Sequence, residues 1–374
     1  MKARYKFFLT SLLYSTGVFA HTYTEEKIIT KLEHAFGYNA PAGVILNRNP
    51  GYPNLSLEAS FLYYYAGEDG LDIANGRALV PAGVGEGTVT TTSNIAGLTQ
   101  DFSYSPAFKI GFGAGIGEWG AKAQYTWIRQ TTVTTGSAPK IDPESGSGVW
   151  LFNNWFEQKT PGGDRIAGSS VTSDWHLAMD IADLSIGRPF FQAPNLSVSP
   201  FFGIRGAWIR QKMNISAAIP TILIPSLRTS PVHSHNSSGS WAVGPHTGLE
   251  GSFILGKGLT IKGKSGVSLL FTQYTTVSHS EEVASSLSAA KTINTKLSDI
   301  NCLRPEFDLG FALDWGMYLS KKQYYIDLSA GYDFILFWSQ NMMRKLVDQT
   351  VAGTGASPGD LFLHGLNISV NFYF

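Results

Sequence analysis

Asp174 and His176 stand two residues apart in SDWHLAMDI. A carboxylate beside an imidazole is the pairing that general-base catalysis uses. No serine nucleophile and no second acidic pair stands at a telling spacing, so the pair reads as polar wall and the chain as no enzyme. His233 and His235, in HSH, are two candidate metal ligands, but no third follows at a recognisable interval. Neither a metal nor a cofactor is expected on that basis. GFGAGIG (111–117) has the glycines of a phosphate loop. It lacks the Lys-Ser/Thr that such a loop needs and runs into another alternating stretch instead of a helix. Curvature and a turn are the better reading.

The charged residues fall instead at every second position of stretches whose other positions are apolar. In EFDLGFALDWGMYLS, Phe307, Leu309, Phe311, Leu313 and Trp315 alternate with Glu306, Asp308 and Asp314. In YYIDLSAGYDFILFW, Ile326, Leu328, Tyr332 and Phe334 oppose Asp327 and Asp333. WAVGPHTGLEGSFIL opposes Trp241, Val243, Leu249 and Phe253 to His246 and Glu250; after the tight GKG, LTIKGKSGVSLLF opposes Ile261, Val267 and Leu269 to Lys262 and Lys264. LSVSPFFGIRGAW places Phe202, Ile204 and Trp208 opposite Arg205, and EWGAKAQYTWI places Trp119, Tyr125 and Trp127 opposite Lys122. In SDWHLAMDI the same rule puts Trp175, Leu177, Met179 and Ile181 on the apolar face and Asp174, His176 and Asp180 on the polar one. A period of two is the mark of a strand with unlike faces.

With weaker segments at 55–65 and 107–114 and the terminal LNISVNFYF, ten strands result. Short connections near 115–118, 188–195, 256–258 and 320–323 alternate with long ones near 67–101, 133–170, 212–238, 274–303 and 339–360. That parity predicts an all-β, antiparallel up-and-down transmembrane barrel with short periplasmic turns and long extracellular loops. Further strands within 67–101 or 133–170 would make the number twelve. Hydrocarbon demands that every backbone polar group be paired, which closure achieves. Two helices are also expected: an amphipathic one at 25–36, and one at the extracellular mouth through SSLSAAKTINTKLSDI, where Leu287, Ala290, Ile293 and Leu297 recur at helical spacing. The apolar run 217–227 reads either as a loop folded over the lumen or as a loop-packing patch.

Residues 1–20 have the basic start, short apolar core and small −3 and −1 residues of a secretory signal peptide. Residues 21–53 then form a periplasmic leader or plug, and 54–374 the barrel. Charged residues make up 15 % and aromatics 13 % of the chain, with 40 glycines. Basic and acidic residues balance at 28 each; without Lys2, Arg4 and Lys6 the balance is 25 against 28, or −3. A nucleic-acid partner would need a basic excess, so none is expected. The single Cys302 excludes an intramolecular disulfide.

On the barrel reading, Lys122, Asp174, His176, Asp180, Arg205, Glu250, Lys262, Lys264, Asp308, Asp314 and Asp333 line the lumen. Two functions fit them. One is a narrow, water-filled pore in the Gram-negative outer membrane that passes small hydrophilic solutes or ions with a mild cation preference. The other is a closed, salt-bridged barrel that acts as an adhesin or structural surface protein through its long loops. The expected partners are outer-membrane lipid, small hydrophilic solutes and the barrel-assembly machinery, through the terminal strand ending in Phe374. Homo-oligomers are left open.

WHLAMDIADLSIGRPFFQAPNLSVSPFFGIRGAWIRQKMNI (175–215) resembles the major outer-membrane porin family of Legionella and chlamydia-like bacteria. The resemblance rests on Asp183, Leu184 and Gly187, then Phe201, Phe202, Gly203, Ile204 and Arg205. It implies a pore-forming outer-membrane barrel. The lone Cys302 departs from the cysteine-rich, cross-linked chlamydial members and sides with the Legionella branch.

Overall fold

The computed structural model describes residues 54–79, 97–116, 119–138, 140–141, 148–156, 167–193, 195–218, 232–283, 291–320, 323–352 and 358–374. The expected signal peptide (1–20) and the segments 21–53 and 219–231, with most of the 217–227 run, lie outside them.

Ten long strands form the barrel: β1 (Asn54–Glu68), β2 (Tyr104–Ile116), β3 (Trp119–Ser137), β4 (Ser170–Gly187), β5 (Leu196–Ala218), β6 (Val232–Gly256), β7 (Leu259–Val283), β8 (Ile300–Leu319), β9 (Tyr324–Asn341) and β10 (Gly359–Tyr373). Each pairs antiparallel with its neighbours in chain order. The ring closes between β1 and β10, with Phe61 opposite Ile368. The amides of Leu55 and Phe374 each donate to the other's carbonyl at 2.9 Å. The last residue is therefore paired, and no edge is left at the terminus to recruit another chain. Between β6 and β7 the GKG turn uses left-handed backbone at Gly256, Lys257 and Gly258 (φ 107°, 53° and 83°).

Below the upper aromatic residues the outward side chains are apolar and exposed: Ile110, Phe202, Ile204 and Phe311 are among them. This is a wall that meets lipid. Trp119 and Trp315 mark its edge near the short turns, and Trp208, Trp241 and Trp338 its far edge.

Strands β6 and β7 each run 25 residues, whereas ~9–11 suffice to cross a bilayer. The barrel therefore continues beyond the membrane on the long-loop side. Its mouth carries a second, five-stranded sheet formed by Asp72–Leu79, Gly97–Thr99, Lys140–Ile141, Gly148–Asn153 and Ala167–Gly168. Helix α1 (Met342–Ala352) follows β9 directly. The Asn341 side chain caps it by accepting from the Arg344 amide at 3.0 Å. Of the helix expected around 280–300, residues 284–290 lie outside the described ones; on either side the chain is strand, Val277–Val283 of β7 pairing with a strand at Lys291–Leu297. The apolar residues there match a helical interval, but a neighbouring strand edge supplies backbone partners first.

Candidate functional site

Two chemically different zones fill the barrel interior. In the half toward the short turns, charges are paired in sets. Glu58 accepts from Gln124 at 3.0 Å and from Ser60 at 3.1 Å, and lies 2.8 Å from the Lys122 ammonium and 3.4 Å from that of Lys109. Gly111 and Gly113, in the glycine-rich run, make room for this group. A Cβ on Gly113 would collide with the Ser56 hydroxyl, and one on Gly111 would stand 3.2 Å from Glu58 Cβ. Lys262 pairs with Asp314 and, at 3.3 Å, with Asp327. Tyr64 and Asn367 donate to Asp333 at 2.7 and 2.8 Å.

At the centre, Arg205 holds three carboxylates. Its Nε and Nη2 donate to Asp183 at 2.6 and 3.0 Å. Its Nη1 donates to Glu306 at 2.5 Å and to Asp308 at 2.8 Å. His246 lies 3.5 Å from Asp308 and bonds Ser268 at 2.8 Å. Donor atoms of His246, Glu306 and Asp308 fall within 4.8 Å of one another, as metal ligands do. Both carboxylates already carry the Arg205 guanidinium, so the cation of this cluster belongs to the chain. A cavity of about 80 Å³ beside it is bounded by Tyr64, Lys109, Gln124, Arg205, Lys264 and Asp333 among others.

Water reaches this zone from the short-turn side: the Lys122 and Lys262 side chains are 42 % and 39 % exposed, and Glu250 is exposed. Lys264 lies over the Phe201 ring at 5.0 Å.

Above it the interior is dry. Nine apolar side chains, Leu62, Ala107, Ile128, Met179, Ile209, Ala242, Leu270, Phe337 and Leu363, come one from each strand except β8, where Glu306 of the Arg205 cluster takes the place, and none of the ten is more than 5 % exposed. Over this belt sits an apolar core that includes Trp155, Trp175, Met213, Ile215, Met343 and Val347. Trp155 is pinned there by donating its Nε1 to the Asp72 carbonyl at 2.8 Å and by a hydrogen bond from the Ser234 hydroxyl to its own carbonyl. Trp175 meets Phe102 edge to face, ring centroids 5.2 Å apart.

Eight of the eleven residues expected in the lumen point inward: Lys122, Arg205, Glu250, Lys262, Lys264, Asp308, Asp314 and Asp333. Asp174, His176 and Asp180 do not, and this is a correction. Asp180 accepts from Arg129 at 2.9 and 3.0 Å and from Tyr125 at 2.8 Å, all on the outer wall. His176 bonds Thr131 and Asp174, each at 2.9 Å, also outside. Trp175, Leu177, Met179 and Ile181 face inward into the dry core. The expectation took apolar to mean lipid-facing; on this length of β4 the apolar medium is inside. Asp183, Tyr64 and His246 are interior partners that the lumen set omitted. The strand register places Asp183 opposite Arg205, and alternation read through from Leu184 and Ile186 would have found it. His233 and His235 stack on the outer wall, ring centroids 6.3 Å apart.

The family model described as Legionella pneumophila major outer membrane protein precursor matches residues 55–374. No curated protein matches the chain. Among solved structures, the outer membrane protease OmpT from Escherichia coli is similar at 11 % identity and a TM-score of 0.38, over 88 % of this chain and 98 % of that one. The Pseudomonas putida toluene transporter TodX is similar at 9 % identity and a TM-score of 0.30, over 92 % and 97 %. A major outer membrane protein from Thermus thermophilus is similar at 12 % identity and a TM-score of 0.28, over 86 % and 99 %.

Proposed function

The chain belongs to the Legionella major outer membrane protein family, and from that premise we propose that it is a sealed outer-membrane barrel whose work is done at its extracellular surface. The observation that carries this reading is the dry belt contributed by all ten strands. Passive diffusion of hydrophilic solutes needs a continuous wet path, and the belt interrupts it. The paired charges below fit the same reading, because they brace the wall and leave few free sites for an ion. Strands that overrun the bilayer and the five-stranded sheet at the mouth supply the contact surface of an adhesin or structural surface protein.

A second reading has one observation in its favour. The wet half, with exposed Lys122, Lys262 and Glu250, is the vestibule of a pore that opens when the apolar core moves. Liposome swelling separates the two. The sealed barrel lets proteoliposomes swell in arabinose no faster than empty liposomes. Swelling that rises with protein content would favour the pore.

A further inference from the structure

The outer wall has a feature that sealing does not use. Across β3, β4, β5 and β6, Trp127, Asp180, Trp208 and Trp241 stand in one hydrogen-bonded row. One outward position higher, the row reads Arg129, Ala178, Arg210, Gly239. The next reads Thr131, His176, Lys212, Ser237. Among the described residues of the ten barrel strands, Arg129, Arg210 and Lys212 are the outward-facing arginines and lysines, so the wall's basic charge is gathered on two strands flanking β4. Trp119 and Arg129 are ten positions apart on β3, a span of ~9–11 residues being what crosses the apolar layer. The basic rows thus begin where the lipid-facing wall ends.

The two outward carboxylates on β4 are already engaged, Asp180 by Arg129 and Asp174 by His176. The Asp180 pair holds the Arg129 guanidinium 4.9 Å over the Trp127 ring. Arg210 and Lys212 are exposed and have no carboxylate within ion-pairing distance among the described residues. The small residues Ala178 and Gly239 on either side of Arg210 leave a shallow space beside it, and Arg129 and Arg210, two strands apart, are separated by ~9–10 Å of backbone.

We propose that Arg210 and Lys212, with Arg129 and the tryptophan row beneath them, bind the phosphorylated headgroup of a glycolipid in the outer leaflet. The molecule that covers this wall below the tryptophans is lipid, and its headgroup comes to rest at the level of the basic rows. An arginine fork suits phosphate oxygens, and the aromatic row suits the junction of headgroup and acyl chain. Basic clusters at that level attract anionic lipid.

The test uses the full barrel in detergent and measures by native mass spectrometry its retention of diphosphoryl lipid A and of the same lipid stripped of phosphate. Wild type retains the phosphorylated form about ten- to thirty-fold better. Arg210→Gln with Lys212→Gln abolishes most of that preference, and retention of the dephosphorylated form stays as it was. Equal retention of both lipids by wild type overturns the proposal, as does an unchanged preference in the double variant. If the variant fails to fold, wild type alone decides. Raising the salt must weaken retention of the phosphorylated lipid and leave the other unmoved; no salt effect sinks the site.

Discussion

Arg205 is the residue on which most of the interior charge converges, and it shows how far single positions could be read from the sequence. Its place opposite Phe202, Ile204 and Trp208 assigns it inward by alternation alone. Its three carboxylates come from β4 and β8, and only the register of distant strands reveals them. Removing the cation leaves Glu306 and Asp308 buried without it. Arg205→Met should therefore cost ~3–5 kcal/mol, seen as a lower urea midpoint for unfolding in detergent. Adding Glu306→Gln to that variant should restore part of the loss. A midpoint equal to wild type would show that the cluster is not held by its arginine. Asp174, His176 and Asp180 were misassigned for a physical reason: alternation says that two faces differ without saying which medium each one meets.

At the scale of elements, the ten strands and the parity of their connections were legible, because turn length and period two are local properties. Strand ends were not. Where β5, β6 and β7 leave the membrane their outer faces become polar, as Arg210, Lys212, His235 and Ser278 do, and the stretch then resembles loop. The part of the expected helix at Lys291–Leu297 is instead a seven-residue strand that found the β7 edge. The turns are the clearest place to test the element scale. Gly258 has a φ of 83°, and a Cβ there would stand 2.5 Å from the Gly316 carbonyl. Gly258→Ala should destabilise the β6–β7 hairpin by ~1–3 kcal/mol, measured by urea denaturation in detergent. An unchanged denaturation midpoint would mean that the turn relaxes freely.

For the whole molecule, the interior is a wet, charge-paired well on the periplasmic side, floored by a dry belt and an apolar core. Alternation and the parity of the connections pointed to a barrel and left an open and a sealed lumen side by side. The residues that fill the upper lumen include side chains of β1, β4, β5, β10 and α1 and of the segments 71–74 and 155–156; the segments outside the strands carry no local pattern that marks them as interior. Sealing is the central claim, and single-channel recording in a planar bilayer tests it most directly. Wild-type protein, shown to be inserted and folded, should give no stable unitary steps, whereas Trp175→Ala with Met213→Ala, which empties part of the core, should raise the frequency of brief openings. Stable unitary steps from the wild type would contradict the account.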